Sequence, residues 1–172
     1  MSGPWVHITQ GEHAIGTDPE MVISTLLGSC VSCCLWDPVA GVGGMNHMLL
    51  TTNTGDAGVC NLAGINAMEV LINDVLKQGA RRDRLRAKAF GGARMVSGLS
   101  DIGKNNSEFI LAFLEQEGIS CDGHSLGGET ARQLKFWPAT GKVMQKVRGD
   151  APLEALTHLP ELSAIGNDLE LF

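Results

Sequence analysis

No stretch of this 172-residue chain approaches the ~18 uninterrupted apolar residues that a membrane-spanning helix needs, so no membrane insertion is expected. The first ten residues, Met1 to Gln10, lack both the basic start and the apolar core of a secretion signal. A cytoplasmic address is the expectation. There is no internal repeat and no low-complexity linker, and the length suits one domain with a real core better than two. Lysine and arginine are missing after Arg148, which leaves an acidic C-terminal tail over 151–172 beyond a single domain over 1–150. That tail is expected to be peripheral, with a short amphipathic helix and a frayed end. Nor is there an even set of cysteines. Cys30, Cys33, Cys34, Cys60 and Cys121 include an adjacent pair, a poor disulfide framework, so free thiols in a reducing compartment are the better reading.

What is present is ordinary in amount and uneven in placement. Hydrophobic residues make up 44% and charged residues 19% of the chain, as in a globular protein. The net charge of −6 argues against nucleic acid as a partner. Yet Lys77, Arg81, Arg82, Arg84, Arg86, Lys88 and Arg94 concentrate seven of the 13 basic residues in one short segment. Such a segment suits an acidic partner.

β-rich runs at Trp5 to Thr9, Met21 to Leu27, Val31 to Trp36 and Val42 to Leu50 are punctuated by Gly28 and by the Asp37-to-Gly41 turn. Leu62, Ile65, Met68, Ile72, Val75 and Leu76 recur at helical spacing, with Asn61 as N-cap and Gly79 as the stop. Leu85, Ala87 and Ala89 alternate with Arg84, Arg86 and Lys88, which predicts a strand with a basic outer face. Phe109, Ile110, Phe113 and Leu114 mark a second helix ending at Gly118. Ile119 to Leu126 reads as a strand, and Pro138-Ala139-Thr140-Gly141 joins the two arms of a hairpin. Strands outnumber the two main helices without alternating with them. The pattern predicts an α/β (α+β) layered sandwich of mixed β-sheet rather than a doubly wound sheet.

A nucleophilic thiol needs a turn that exposes it, a base and oxyanion donors. Leu27-Gly28-Ser29-Cys30 offers the turn. His47 lies 17 residues further on in the next β-rich run. Antiparallel neighbours turning near residue 39 would bring positions whose numbers add to about 77 opposite each other, making Cys30 and His47 cross-strand partners. Taken alone, a strand cysteine is more often packing and a lone histidine more often structural. A zinc site on Cys30, Cys33, His47 and Cys60 is disfavoured, because strand residues three apart face opposite ways. Gly41-Val42-Gly43-Gly44 lacks the third glycine of a dinucleotide loop. No metal and no organic cofactor are expected.

Several motifs agree in order. Leu27-Gly28-Ser29-Cys30-Val31, Trp36-Asp37-Pro38, Gly43-Gly44-Met45-Asn46-His47, Ala87-Lys88-Ala89-Phe90-Gly91-Gly92-Ala93, Ile102-Gly103-Lys104-Asn105-Asn106, Leu126-Gly127-Gly128 and Thr140-Gly141-Lys142-Val143 together resemble the CheD family, chemoreceptor glutamine deamidases of chemotaxis. The resemblance runs over about residues 7 to 148. It implies a catalytic cysteine at Cys30 and a histidine at His47. A hydroxyl residue six positions before the cysteine falls on Ser24, with Thr25 beside it as the alternative. Ser29, Val31, Asn46 and Thr25 stand where the oxyanion or the substrate would be held. The implied reaction is acyl transfer through a thioester, with methylesterase-like action as a side activity. Implied partners are a CheC-type phosphatase and the cytoplasmic helices of chemoreceptors, onto which Arg84, Arg86 and Lys88 could dock, although a merely solvated strand face is the commoner role for such residues. The chain departs from the family at Val59-Cys60-Asn61-Leu62, where an aromatic and basic stretch is usual, and at Ser125, where aspartate is usual; tyrosine is absent altogether. These departures leave room for a second class of function, an adaptor that binds receptors or the phosphatase without turnover.

Overall fold

A computed structural model describes residues 3–50, 57–95, 102–147 and 169–172. Twelve elements follow one another: β1 (Trp5–His7), β2 (His13–Gly16), β3 (Val22–Leu27), β4 (Val31–Asp37), β5 (Val42–Asn46), α1 (Ala57–Lys77), β6 (Arg86–Gly91), α2 (Ile102–Gln116), β7 (Ser120–Leu126), β8 (Arg132–Trp137), β9 (Lys142–Val147) and β10 (Leu169–Leu171). The strands form two five-stranded mixed sheets, ordered β1-β3-β8-β9-β10 and β2-β5-β4-β6-β7. In the first only β1 and β3 run parallel; in the second only β6 and β7 do. This is the α+β layered sandwich that the strand count predicts. No helix among the described residues is long and apolar enough to cross a membrane.

Strand β4 explains the layering. All seven of its residues are buried, because each face of a central strand meets a different layer. Val31, Cys33 and Leu35 pack under Met68, Leu71 and Ile72 of α1 and Ile110 and Leu114 of α2. Cys34 and Trp36 point the other way, into a second core with Ile23, Leu27, Leu134 and Phe136 of the opposite sheet. Helices therefore cover only one face of the second sheet, and the first sheet covers the other.

Several expectations change. Helix α1 starts before Asn61, while its end at Lys77 is followed, as expected, by Gly79, whose φ of +110° only glycine adopts readily. The Arg84–Arg86–Lys88 face is only partly an outer face: Arg86 is exposed, Lys88 is half-buried, and Arg84 precedes β6 and is half-buried as well. Arg84 pairs with the buried Asp37 at 2.9 Å, Arg86 pairs with Asp122 at 2.6 Å, and Lys88 donates to the Gly141 carbonyl at 2.9 Å while lying over Trp36. The end of the chain does not fray: β10 adds antiparallel to β9, and Phe172 exchanges backbone hydrogen bonds with Val143. Short β2 carries too brief a pattern to be read from sequence.

Candidate active site

The register of β4 and β5 fixes where Cys30 and His47 stand. Cys34 pairs with Met45, and beyond the regular ladder Val31 bridges to Met48. The pairing is thus displaced by two residues from the one expected, and Cys30 and His47 are diagonal neighbours rather than directly opposite. A shift of two preserves the face. Val31 and Met48 both enter the core beneath the helices, so the residues preceding them, Cys30 and His47, turn to the side between the sheets. Cys30 is half-buried and His47 is 7% exposed. An open cleft of about 410 Å³ lies beside His47, bounded by Glu12, His13, Leu50, Asn66 and Val70; Cys30 is not among its lining residues.

The opposite sheet supplies the third group. Ile23 and Leu27 of β3 face the second sheet, and alternation sends Thr25 the same way and Ser24 to the outside of the sandwich. Thr25 Oγ1 lies 2.8 Å from His47 Nδ1. Ser24 Oγ instead accepts from Trp5 Nε1 at 3.0 Å and meets His7 Nδ1 at 3.1 Å. The hydroxyl brought to the histidine is therefore Thr25's, and Ser24 belongs to a separate cluster.

This contact sets the tautomer. Thr25 also donates to the Ile8 carbonyl at 2.8 Å, and a carbonyl can only accept. With its single proton committed there, Thr25 Oγ1 must accept from His47, so Nδ1 carries the hydrogen and Nε2 keeps its lone pair. The His47 backbone is clamped as well: its N–H donates to the Glu12 carbonyl at 3.0 Å and its carbonyl accepts from Gly11 at 2.9 Å.

Burial sets the charges. It lowers the His47 pKa to about 4, helped by His7 nearby and opposed by Glu12. Burial raises the Cys30 thiol to about 11, although its own backbone N–H lies at the sulfur and pulls in the other direction. At neutral pH Cys30 is therefore a thiol and His47 a neutral imidazole. Such a pair holds both a proton to give and a lone pair to receive it.

Other predicted site residues are placed elsewhere. The Asn46 side chain points beneath the helices, where Oδ1 accepts from the Cys33 N–H at 2.9 Å and Nδ2 contacts Met68 Sδ, so it cannot reach an oxyanion above Cys30. The Val31 N–H donates to the Met48 carbonyl at 3.0 Å and is not free for one either. Cys33 turns into the helix-side core while Cys30 faces the other sheet, which separates the cysteines of the disfavoured metal reading. The divergent stretch at 59–62 falls on side chains mostly outside the described residues, whereas the Ser125 hydroxyl accepts from Arg132.

The turn bearing Cys30 is held by three successive carbonyls. Gly28 accepts from the Ala93 N–H at 2.9 Å, Ser29 from Asn106 Nδ2 at 2.8 Å, and Cys30 from the Gly92 N–H at 2.8 Å. Gly91 permits the close approach: its φ is +111°, and a side chain there would meet the Cys30 carbonyl oxygen at 2.1 Å. Asn106 also accepts from the Leu50 N–H at 3.1 Å, and sequence reasoning gave this residue no role. Nothing in the spacing of residues 29, 50 and 106 signals that one side chain joins them.

The profile described as CheD chemotactic sensory transduction matches residues 51–147. A protein of Caulobacter sp. (strain K31) named "Probable chemoreceptor glutamine deamidase CheD" is 48% identical over 179 residues, covering 99% of this chain and 95% of that one. Proteins of the same name from Rhizobium etli (strain CIAT 652) and Acidiphilium cryptum (strain JF-5) are 52% and 53% identical over 81% of this chain, and 78% and 76% of theirs. By profile and by identity along nearly its whole length, this chain belongs to the CheD family.

Proposed function

We propose that this protein deamidates glutamine side chains of chemoreceptors, with Cys30 as nucleophile, His47 as general base and acid, and Thr25 orienting the imidazole. The names of the relatives point to the substrate class. The hydrogen bond from His47 Nδ1 to Thr25 carries the mechanistic reading, because it leaves Nε2 as the basic atom on the face shared with Cys30. That is the logic of a nucleophile, a base and an orienting group.

In this reading the glutamine carboxamide reaches Cys30 from the open side of its half-buried thiol. The thiol proton passes to Nε2 as sulfur attacks the amide carbon, and a tetrahedral oxyanion forms. Collapse breaks the C–N bond, and the imidazolium protonates the departing ammonia. Water, deprotonated by the same Nε2, then attacks the thioester. Glutamate leaves and the thiol is restored. Burial suits the arrangement: a neutral imidazole can take the proton at neutral pH, and desolvated donors act more strongly on the oxyanion than they would in water.

The test is incubation of the purified protein with a receptor signalling fragment. Ammonia release is followed, and mass spectrometry reads amide-to-acid conversion at each glutamine. Wild type is expected to convert specific glutamines and Cys30→Ala none, while both bind the fragment and unfold at similar temperatures. Equal conversion by both proteins would end the thiol mechanism. Binding of the fragment with no conversion by wild type would identify an adaptor instead.

A further inference from the structure

Asn106 is fully buried on α2 and joins the two segments that carry the reacting side chains. Its Nδ2 donates to the Ser29 carbonyl and its Oδ1 accepts from the Leu50 N–H, three residues beyond His47. The peptide bonds among the described residues are trans, and a trans peptide points its C=O and N–H to opposite sides. Helix α2 lies beneath the second sheet, on the face opposite Cys30 and His47. Holding the Ser29 carbonyl down toward α2 therefore turns the N–H of the same peptide, that of Cys30, up toward the reacting side. An oxyanion formed on a carbon bonded to Cys30 Sγ would lie within reach of that N–H, whereas the next N–H, of Val31, is committed to Met48. The neighbouring carbonyls of Gly28 and Cys30 are held by backbone groups, which no side-chain change can remove. The Ser29 carbonyl alone depends on a side chain.

We propose that Asn106 is a positioning residue that aims the Cys30 N–H at the oxyanion. The inference rests on the deamidase reading above and adds to it a residue distant in sequence from both Cys30 and His47. Two variants disturb its bonds in different ways. Asn106→Asp keeps an acceptor for the Leu50 N–H but sets a carboxylate oxygen against the Ser29 carbonyl. Asn106→Ser is too short to make both bonds and introduces no charge.

The experiment measures kcat and KM for ammonia release from the receptor fragment, alongside the rate at which iodoacetamide alkylates Cys30. Alkylation displaces iodide and forms no oxyanion, so it reports the thiol and imidazole alone. Both variants are expected to lose about 30-fold or more in kcat, the scale of a misplaced oxyanion donor, with KM and alkylation each within about threefold of wild type. Unchanged kcat in a folded variant would overturn the proposal. So would parallel losses in kcat and alkylation, or failure of both variants to fold, since either makes Asn106 a packing residue only. A wild type that releases no ammonia fails the deamidase reading first and takes this inference with it, a result distinct from any behaviour of the variants.

Discussion

A hydroxyl carries one proton, and at Thr25 the Ile8 carbonyl takes it. The contact with His47 can then run in only one direction, which separates the roles of two adjacent β3 residues whose sequence positions leave them interchangeable. Thr25→Val keeps the shape and removes the acceptor, so Nδ1–H is left buried without a partner and the imidazole loses its fixed orientation. A fall of about 10- to 100-fold in kcat for ammonia release is expected, on the scale of disturbed general base catalysis. Ser24→Ala, which removes a hydroxyl facing Trp5 and His7 on the outside of the sheet, should leave kcat within about twofold. Rates of the two variants measured side by side decide the matter. A larger loss in Ser24→Ala would move the orienting role to Ser24 and require a different local register.

At the scale of elements, the β4–β5 turn rests on Asp37. Its Oδ1 accepts from the N–H groups of Val39 and Ala40 at 2.8 and 3.0 Å, and Oδ2 accepts from the Arg81 N–H and the Arg84 guanidinium. Burial alone would raise this carboxyl, but the N–H groups of Ala40 and Arg81, the Arg84 side chain and the Val39 N–H together hold its pKa at about 2. Asp37→Asn retains one acceptor for the turn but places an amide N–H₂ against two donors and leaves Arg84 without its counter-charge. Destabilisation of about 3 kcal/mol is expected, read from the urea midpoint at neutral pH. The sign in acid follows from the depressed value. The unfolded chain binds this proton first, so the stabilisation is complete above the ordinary pKa of 3.8 and is lost as pH falls through about 2. Midpoints of wild type and variant should accordingly converge below that range; a constant gap would show that charge is not what Asp37 contributes. Trp36-Asp37-Pro38 was legible as a turn because its residue types speak locally. The register it sets was not: pairing shifted by two residues leaves the same alternation of buried faces, so periodicity alone cannot tell a directly opposed Cys30 and His47 from a diagonal pair. The same ambiguity hid the fate of Arg86 and Lys88. Alternation in β6 correctly marks two faces, but how far along the strand the second stays in water depends on the distant β8–β9 turn: Arg86 is exposed, while Lys88 is half-buried against the Gly141 carbonyl.

At the scale of the whole molecule, the site is a product of layering. Cys30 ends the crossover by which the chain leaves β3 in one sheet and enters β4 in the other, and this brings Thr25 and His47, from different sheets, within one hydrogen bond. Anything that loosens the two sheets should loosen the site. The chain's last residues contribute here, against the expectation from an acidic and lysine-free tail. Strand β10 covers the edge of β9, and the Phe172 ring sits edge-on to Phe90 at 5.2 Å, against the core between the sheets. Composition could not reveal this, because the pairing of 169–171 with 144–146 is decided by an edge that exists only once the first sheet has formed. Truncation after residue 168 removes those backbone bonds and the aromatic contact, and it exposes an unpaired edge. A loss of about 1–3 kcal/mol is expected, seen as a lower urea midpoint, together with concentration-dependent light scattering from edge-to-edge association. Phe172→Ala should reproduce part of the first effect without the second, since the strand's hydrogen bonds remain. An unchanged midpoint for both variants would return these residues to the frayed tail their composition suggests.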